Sequence, residues 1–85
     1  MSEAITRILV EDILVFAYCA EDQITDDFSV SQLERIASAL CLADEETRCA
    51  FLQVVSEMAK EAAHSGDAGR ARQLNSMPEH LGLVQ

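Results

Sequence analysis

Apolar residues recur along this chain every three or four positions, the spacing of helices. No stretch of useful length alternates with the period of two that a half-buried strand requires. The first apolar block runs from Ile5 through Val10, Ile13, Leu14 and Phe16 to Ala20, and leaves only Arg7, Glu11 and the Tyr18 hydroxyl as a polar strip. A helix that is apolar nearly all round is expected to be buried. The first helix, from about Ser2 as N-cap to about Ala20, is therefore predicted to be the central element, wrapped by the others or by a second subunit.

Residues 21–28, Glu-Asp-Gln-Ile-Thr-Asp-Asp-Phe, read as a loop in which Ile24 turns back to the core. Ser29 and Gln32 form a capping box, and Phe28 and Leu33 a hydrophobic staple, so a second helix is predicted from Ser29 to near Leu42. Its core positions are Leu33, Ile36, Ala37 and Leu40. Asp44 caps a third helix, with Glu45 and Glu46 in the first turn, where the helix dipole favours anions. Phe51, Val55, Met58 and Ala62 line its inner face, and Gly66 is its natural terminator.

Beyond Gly66 the pattern weakens. Asp67 caps a short fourth segment carrying Ala71 and Leu74, but Gly69 inside it costs ~1 kcal/mol relative to Ala. Ser76 and Pro78 open a last turn that stops at Gly82. The prediction is all-α: a small bundle of three main helices plus one or two short C-terminal helical turns, with short connections that make neighbouring helices antiparallel. Residues 1–85 form one domain, with about 76–85 as a weakly structured tail.

Composition narrows the function. The chain has 85 residues, 49% of them apolar, which is too apolar for disorder by composition. A domain this small buries only roughly 60% of its unfolded surface, so dense packing or self-association is expected to help it. Its formal net charge is −9. All acids and bases except Glu79, Arg70 and Arg72 lie in residues 1–69, so the body carries −10 and the remainder +1. Direct nucleic-acid binding and docking on anionic membranes both need Lys and Arg, and are disfavoured. The charge favours solubility and a basic partner.

The three cysteines, Cys19, Cys41 and Cys49, are odd in number and show no CxxC spacing. They read as free thiols of a reducing cytoplasm, and their apolar neighbours suggest small buried hydrophobes. Residues 13–20, the longest apolar run, are too few to span a bilayer, and no basic region precedes the apolar block as a signal peptide would require.

Tests for chemistry fail one after another. A calcium loop begun at Glu21 would offer Glu21, Gln23, Thr25, Asp27, Ser29 and Gln32, but Asp26 stands where the sharp turn needs Gly, and Gln32 is no bidentate carboxylate. Zinc needs about four clustered Cys or His ligands. Here Cys41 and Cys49 lie on different helices, and His64 and His80 stand apart. No nucleophile with a readable base partner and no Gly-rich phosphate loop is present. No catalytic, cofactor or metal site is expected, and the chain does not read as an enzyme.

Two local anomalies remain. Asp12 sits inside the apolar arc of the first helix, where its i±3 and i±4 neighbours Leu9, Val15, Ile8 and Phe16 cannot pair with it. It is expected either to pair internally with Arg35, Arg48 or a helix N-terminus, or to anchor a basic group of a partner. The second anomaly is the carboxylate group Glu21, Asp22, Asp26 and Asp27, which reads as a solvated loop or as a docking surface.

Asp22 and Ile24 beside Ala20, followed by Leu33-Glu34 and the Ile36/Leu40 helix, resemble helical domains linked to tellurite resistance, which are proposed to hold metals. Gln23 replaces their Gly and the gap to Glu34 is longer, so no site is carried over from them. In size and charge the chain also resembles anti-CRISPR proteins, immunity proteins and antitoxins. The leading expectation is a small non-enzymatic interaction module, an inhibitor or regulator whose acidic body docks on a basic surface of a larger protein, such as one that holds nucleic acid. Asp12, Glu21, Asp22, Asp26 and Asp27 are its candidate contacts. The alternatives are a homodimeric helical domain and a divalent-ion-responsive domain using residues 21–27.

Overall fold

The computed structural model of the chain describes residues 2–18 and 26–83. They form four helices, α1 (Glu3–Tyr18), α2 (Asp26–Leu42), α3 (Glu45–His64) and α4 (Ala68–His80), with no strand among the described residues. The all-α expectation holds, but the C-terminal part is one full helix rather than one or two short turns.

The α3–α4 hairpin follows its local signals closely. Asp44 accepts a hydrogen bond from the Thr47 amide at 2.7 Å, and Asp67 accepts one from the Arg70 amide at 3.0 Å, which starts each helix. Both helices end alike. The Gly66 amide donates to the Ala63 carbonyl and the Asp67 amide to the Ala62 carbonyl, while Gly82 and Leu83 repeat the pattern on Glu79 and Pro78. This is the Schellman arrangement, and it needs the left-handed backbone seen at Gly66 and Gly82, with φ of 85° and 74°. Phe51, Val54, Val55, Met58, Ala59 and Ala62 of α3 are buried, and Ala71, Leu74, Met77 and Leu81 continue the same core from α4 and its C-cap. That packing lets α4 run past Gly69 and Pro78, since helix stability in proteins comes mainly from a buried face.

α1 begins where Ser2 Oγ accepts from the Ile5 amide at 3.2 Å. Thr6, Val10, Ile13 and Leu14 are its buried residues, and the Thr6 hydroxyl is satisfied by donating to the Ser2 carbonyl. The expectation that α1 is the central, wrapped element is not met. α4 packs chiefly on α3, so α1 is covered on one face only.

α2 starts at Asp26, three residues ahead of the expected Ser29 cap. Ser29 is instead inside the helix and buried, and Phe28 meets Phe16 of α1 edge to face, with ring centroids 5.8 Å apart. Tertiary packing against α1 has overridden the local capping signal. Cys41 and Cys49 are free thiols, as expected, but both are exposed rather than buried. The C-terminus of α2 is closed by Arg48, which donates to the carbonyls of Cys41 and Ala43. Cys19 and the expected inward turn of Ile24 lie outside the described residues. Among the described residues no helix is long and apolar enough to cross a membrane.

Candidate functional site

At 3.6 residues per turn, Ile5, Ile8, Asp12 and Val15 fall within an arc of about 80° on α1. The core-facing residues Thr6, Val10, Ile13 and Leu14 lie across the helix from them. The outward arc is left open: Ile5 is 60% exposed, Ile8 59% and Val15 49%. Phe16 and Phe28 extend the apolar surface towards α2, Phe16 partly buried and Phe28 about half exposed.

The edge between the two faces is polar, and it fixes the rotation of α1. Arg7 makes a paired contact with Glu61 of α3, at 2.9 and 2.7 Å, and a third with Glu3 at 3.3 Å. Glu57 stands 4.0 Å from the same guanidinium, and Arg70 of α4 is 3.7 Å from Glu11. The hydrogen bonds from Arg7 hold the Glu61 carboxyl below the ordinary carboxylate range, and those to Glu61 push the guanidinium up. With this edge tied to α3 and α4, α1 cannot roll to bury Ile5 and Ile8 without breaking charge-assisted contacts.

Asp12 stands amid this open stripe, is itself exposed, and has neither an ion pair nor a hydrogen bond among the described residues. The expected internal pairing does not form. The arc carrying Asp12 faces solvent, and Arg48 is engaged at the end of α2. Glu21 and Asp22 lie outside the described residues. The loop expected at Asp26 and Asp27 does not form, and their backbone makes the first turn of α2. A calcium loop begun at Glu21 would need its sharp turn at Asp26, and helix is already present there. Among the described residues no three His, Cys, Asp or Glu side chains converge as metal ligands would.

A second feature has no counterpart in the sequence pattern. α2 packs on α1 and slightly on α3, α4 packs on α3, and α2 and α4 scarcely touch. Between α1, α2 and α4 this leaves a cleft of about 350 Å³. Ile13, Met77 and Leu81 form a buried floor, Leu33 and Ala37 a wall, and Tyr18, Glu34 and His80 supply polar groups. Its residues come from three helices, one of them at the far end of the chain, so no local spacing announces it.

No protein-family model, no curated protein and no solved structure matches the chain.

Proposed function

We propose that the protein is a non-enzymatic interaction module, an inhibitor or regulator, that docks the outer face of α1 on a larger protein whose apolar groove is bordered by basic groups. The observation that carries this reading is the exposed stripe Ile5, Ile8 and Val15 with Asp12 in its midst. Apolar side chains at helical spacing are the anchors of helix-in-groove recognition. A carboxylate among them would be costly to bury unless the partner supplies a cation. The net charge of −9 adds long-range attraction to a basic surface. An inhibitor or antitoxin-like role follows from size and charge, since a small acidic body can occupy a surface that otherwise holds nucleic acid.

The test is cross-linking from position 15 in the native host, mass spectrometry of the adduct, and kinetics with the purified partner. Association is expected to slow steeply as salt rises, and Asp12→Lys and Ile8→Glu are each expected to abolish capture. An association rate flat across salt, or capture indifferent to both substitutions, would refute the reading.

The same stripe supports a second reading, a homodimer. Against it, two bodies of like charge would meet, and the stripe itself carries no cation to pair with Asp12. A mass by light scattering that stays monomeric across concentration removes the dimer and leaves the first reading standing.

A further inference from the structure

We propose that the cleft between α1, α2 and α4 is a ligand site for a small amphipathic amine, an apolar body of roughly ten heavy atoms bearing one ammonium group. The site lies across α1 from the partner-binding face and does not depend on it.

Size and lining come first. About 350 Å³ is at the lower end of the range of small-molecule sites, roughly 300–1,000 Å³. At about 30 Å³ per water-sized group, it holds on the order of ten such groups. Its lining is largely apolar, with the buried Ile13, Met77 and Leu81 beneath Leu33 and Ala37. Few polar groups in a mostly apolar concavity is the usual make-up of a small-molecule site.

Charge then selects the head group. With histidines counted neutral, Glu34 is the only charged side chain on the lining among the described residues, and it is negative. It has no ion pair there among the described residues. Met77, His80 and Leu81 place the C-terminal end of α4 at the cleft, and that end carries the negative pole of the helix dipole. Two independent sources of negative potential thus meet on an apolar hollow, in a body of charge −9. An ammonium on an apolar stem satisfies both, whereas a carboxylate on the same stem is repelled by both.

The test is a methyl NMR titration at pH 8, above the ordinary histidine range, with three probes of one chain length: octylammonium, octanol and octanoate, each below its aggregation concentration. Expected are saturable shifts at the methyls of Ile13, Leu33, Met77 and Leu81, with octylammonium binding about fivefold more tightly than octanol and octanoate most weakly. Glu34→Gln is expected to erase the preference for octylammonium and leave octanol unchanged. Ala37→Trp, with its helix content checked by circular dichroism, is expected to weaken all three. Equal binding of octanoate and octylammonium, no saturable shift at these four residues, or shifts confined to Ile5, Ile8 and Val15 would each overturn the proposal. Ile8→Glu should leave this titration intact, so a failure here is separable from a failure of the partner-binding reading.

Discussion

The two halves of the molecule treat their apolar residues in opposite ways. In α3 and α4 the helical stripes close on one another, and Phe51 and Leu74 are fully buried. In α1 and α2 several of the largest apolar side chains, Ile5, Ile8, Phe28 and Val30 among them, are about half exposed or more. The C-terminal hairpin has caps at both helix starts and matched Schellman turns at both ends. The N-terminal pair gives the core fewer residues, Val10, Ile13, Leu14 and Leu40, beside one ionic edge to α3 and an aromatic contact, and α2 barely reaches α4. Apolar surface that a fold leaves uncovered is surface it does not need for folding, and exposed apolar patches are common where proteins bind partners. The buried core therefore lies mainly in α3–α4, and the proposed recognition face lies on α1–α2.

The widest test of that division is a pair of truncations. Phe51→Ala in the closed half is expected to cost about 3–5 kcal/mol. The whole domain is stabilised by about 4–13 kcal/mol at typical values per residue, so this variant should lose a large share of its stability, read as a marked drop in melting temperature by calorimetry. Leu42→Ala in the open half, where the side chain is 85% exposed, should move stability by no more than about 0.5 kcal/mol. If the two melting points fall together, the division is wrong.

Next in size is Ile8→Glu. It is expected to leave the melting temperature unchanged while weakening the partner complex by roughly thirtyfold or more, the scale of an interface anchor. A stability loss rivalling that of Phe51→Ala would mean that the α1 stripe is covered in solution, which would sharpen the comparison towards the homodimer.

What was legible in the sequence follows the same division. Asp44, Gly66 and Asp67 act through their own backbone neighbours, so their residue types were enough to place the ends of α3 and the start of α4. Ser29, Cys41 and Cys49 were misread because their surroundings depend on which face a distant helix covers. Asp12 was placed correctly among apolar neighbours, but periodicity says only that residues share a face, not whether that face points inward. The cleft was invisible because it results from a contact that α2 and α4 fail to make.

Two glycines of the closed half should respond with opposite signs. At Gly66 a Cβ would meet nothing within 4 Å, so Gly66→Ala tests the backbone alone. With φ at +85°, the variant is expected to lose about 1 kcal/mol. Gly69 lies within α4, and its added Cβ would make only an ordinary contact, 3.8 Å from Asp67 Oδ1. Gly69→Ala is expected to gain about 0.4–1 kcal/mol by restricting the unfolded chain. Chemical denaturation measures both, and a loss at both positions would contradict the α4 described here.

The smallest expected effect concerns acid, and it reaches both halves. Asp44 is held below its ordinary value by hydrogen bonding from Thr47, side chain first and then amide, and Glu61 by the hydrogen bonds from Arg7. For each carboxyl the folded state binds its proton less readily than the unfolded state does. Each therefore contributes stability that is present above the ordinary carboxyl value and is lost as pH falls through the lowered folded value. The melting temperature should fall as pH is taken below about 4. Glu61→Gln should remove part of that slope, and added salt should shrink that part, because the Arg7–Glu61 pair is solvent-exposed. Asp44→Asn should remove a part that salt shrinks less, since hydrogen bonding from Thr47 is the largest cause of the Asp44 shift. Identical salt responses in the two variants would show that the ionic edge of α1 and the cap of α3 are held by the same kind of force, contrary to the geometry of each.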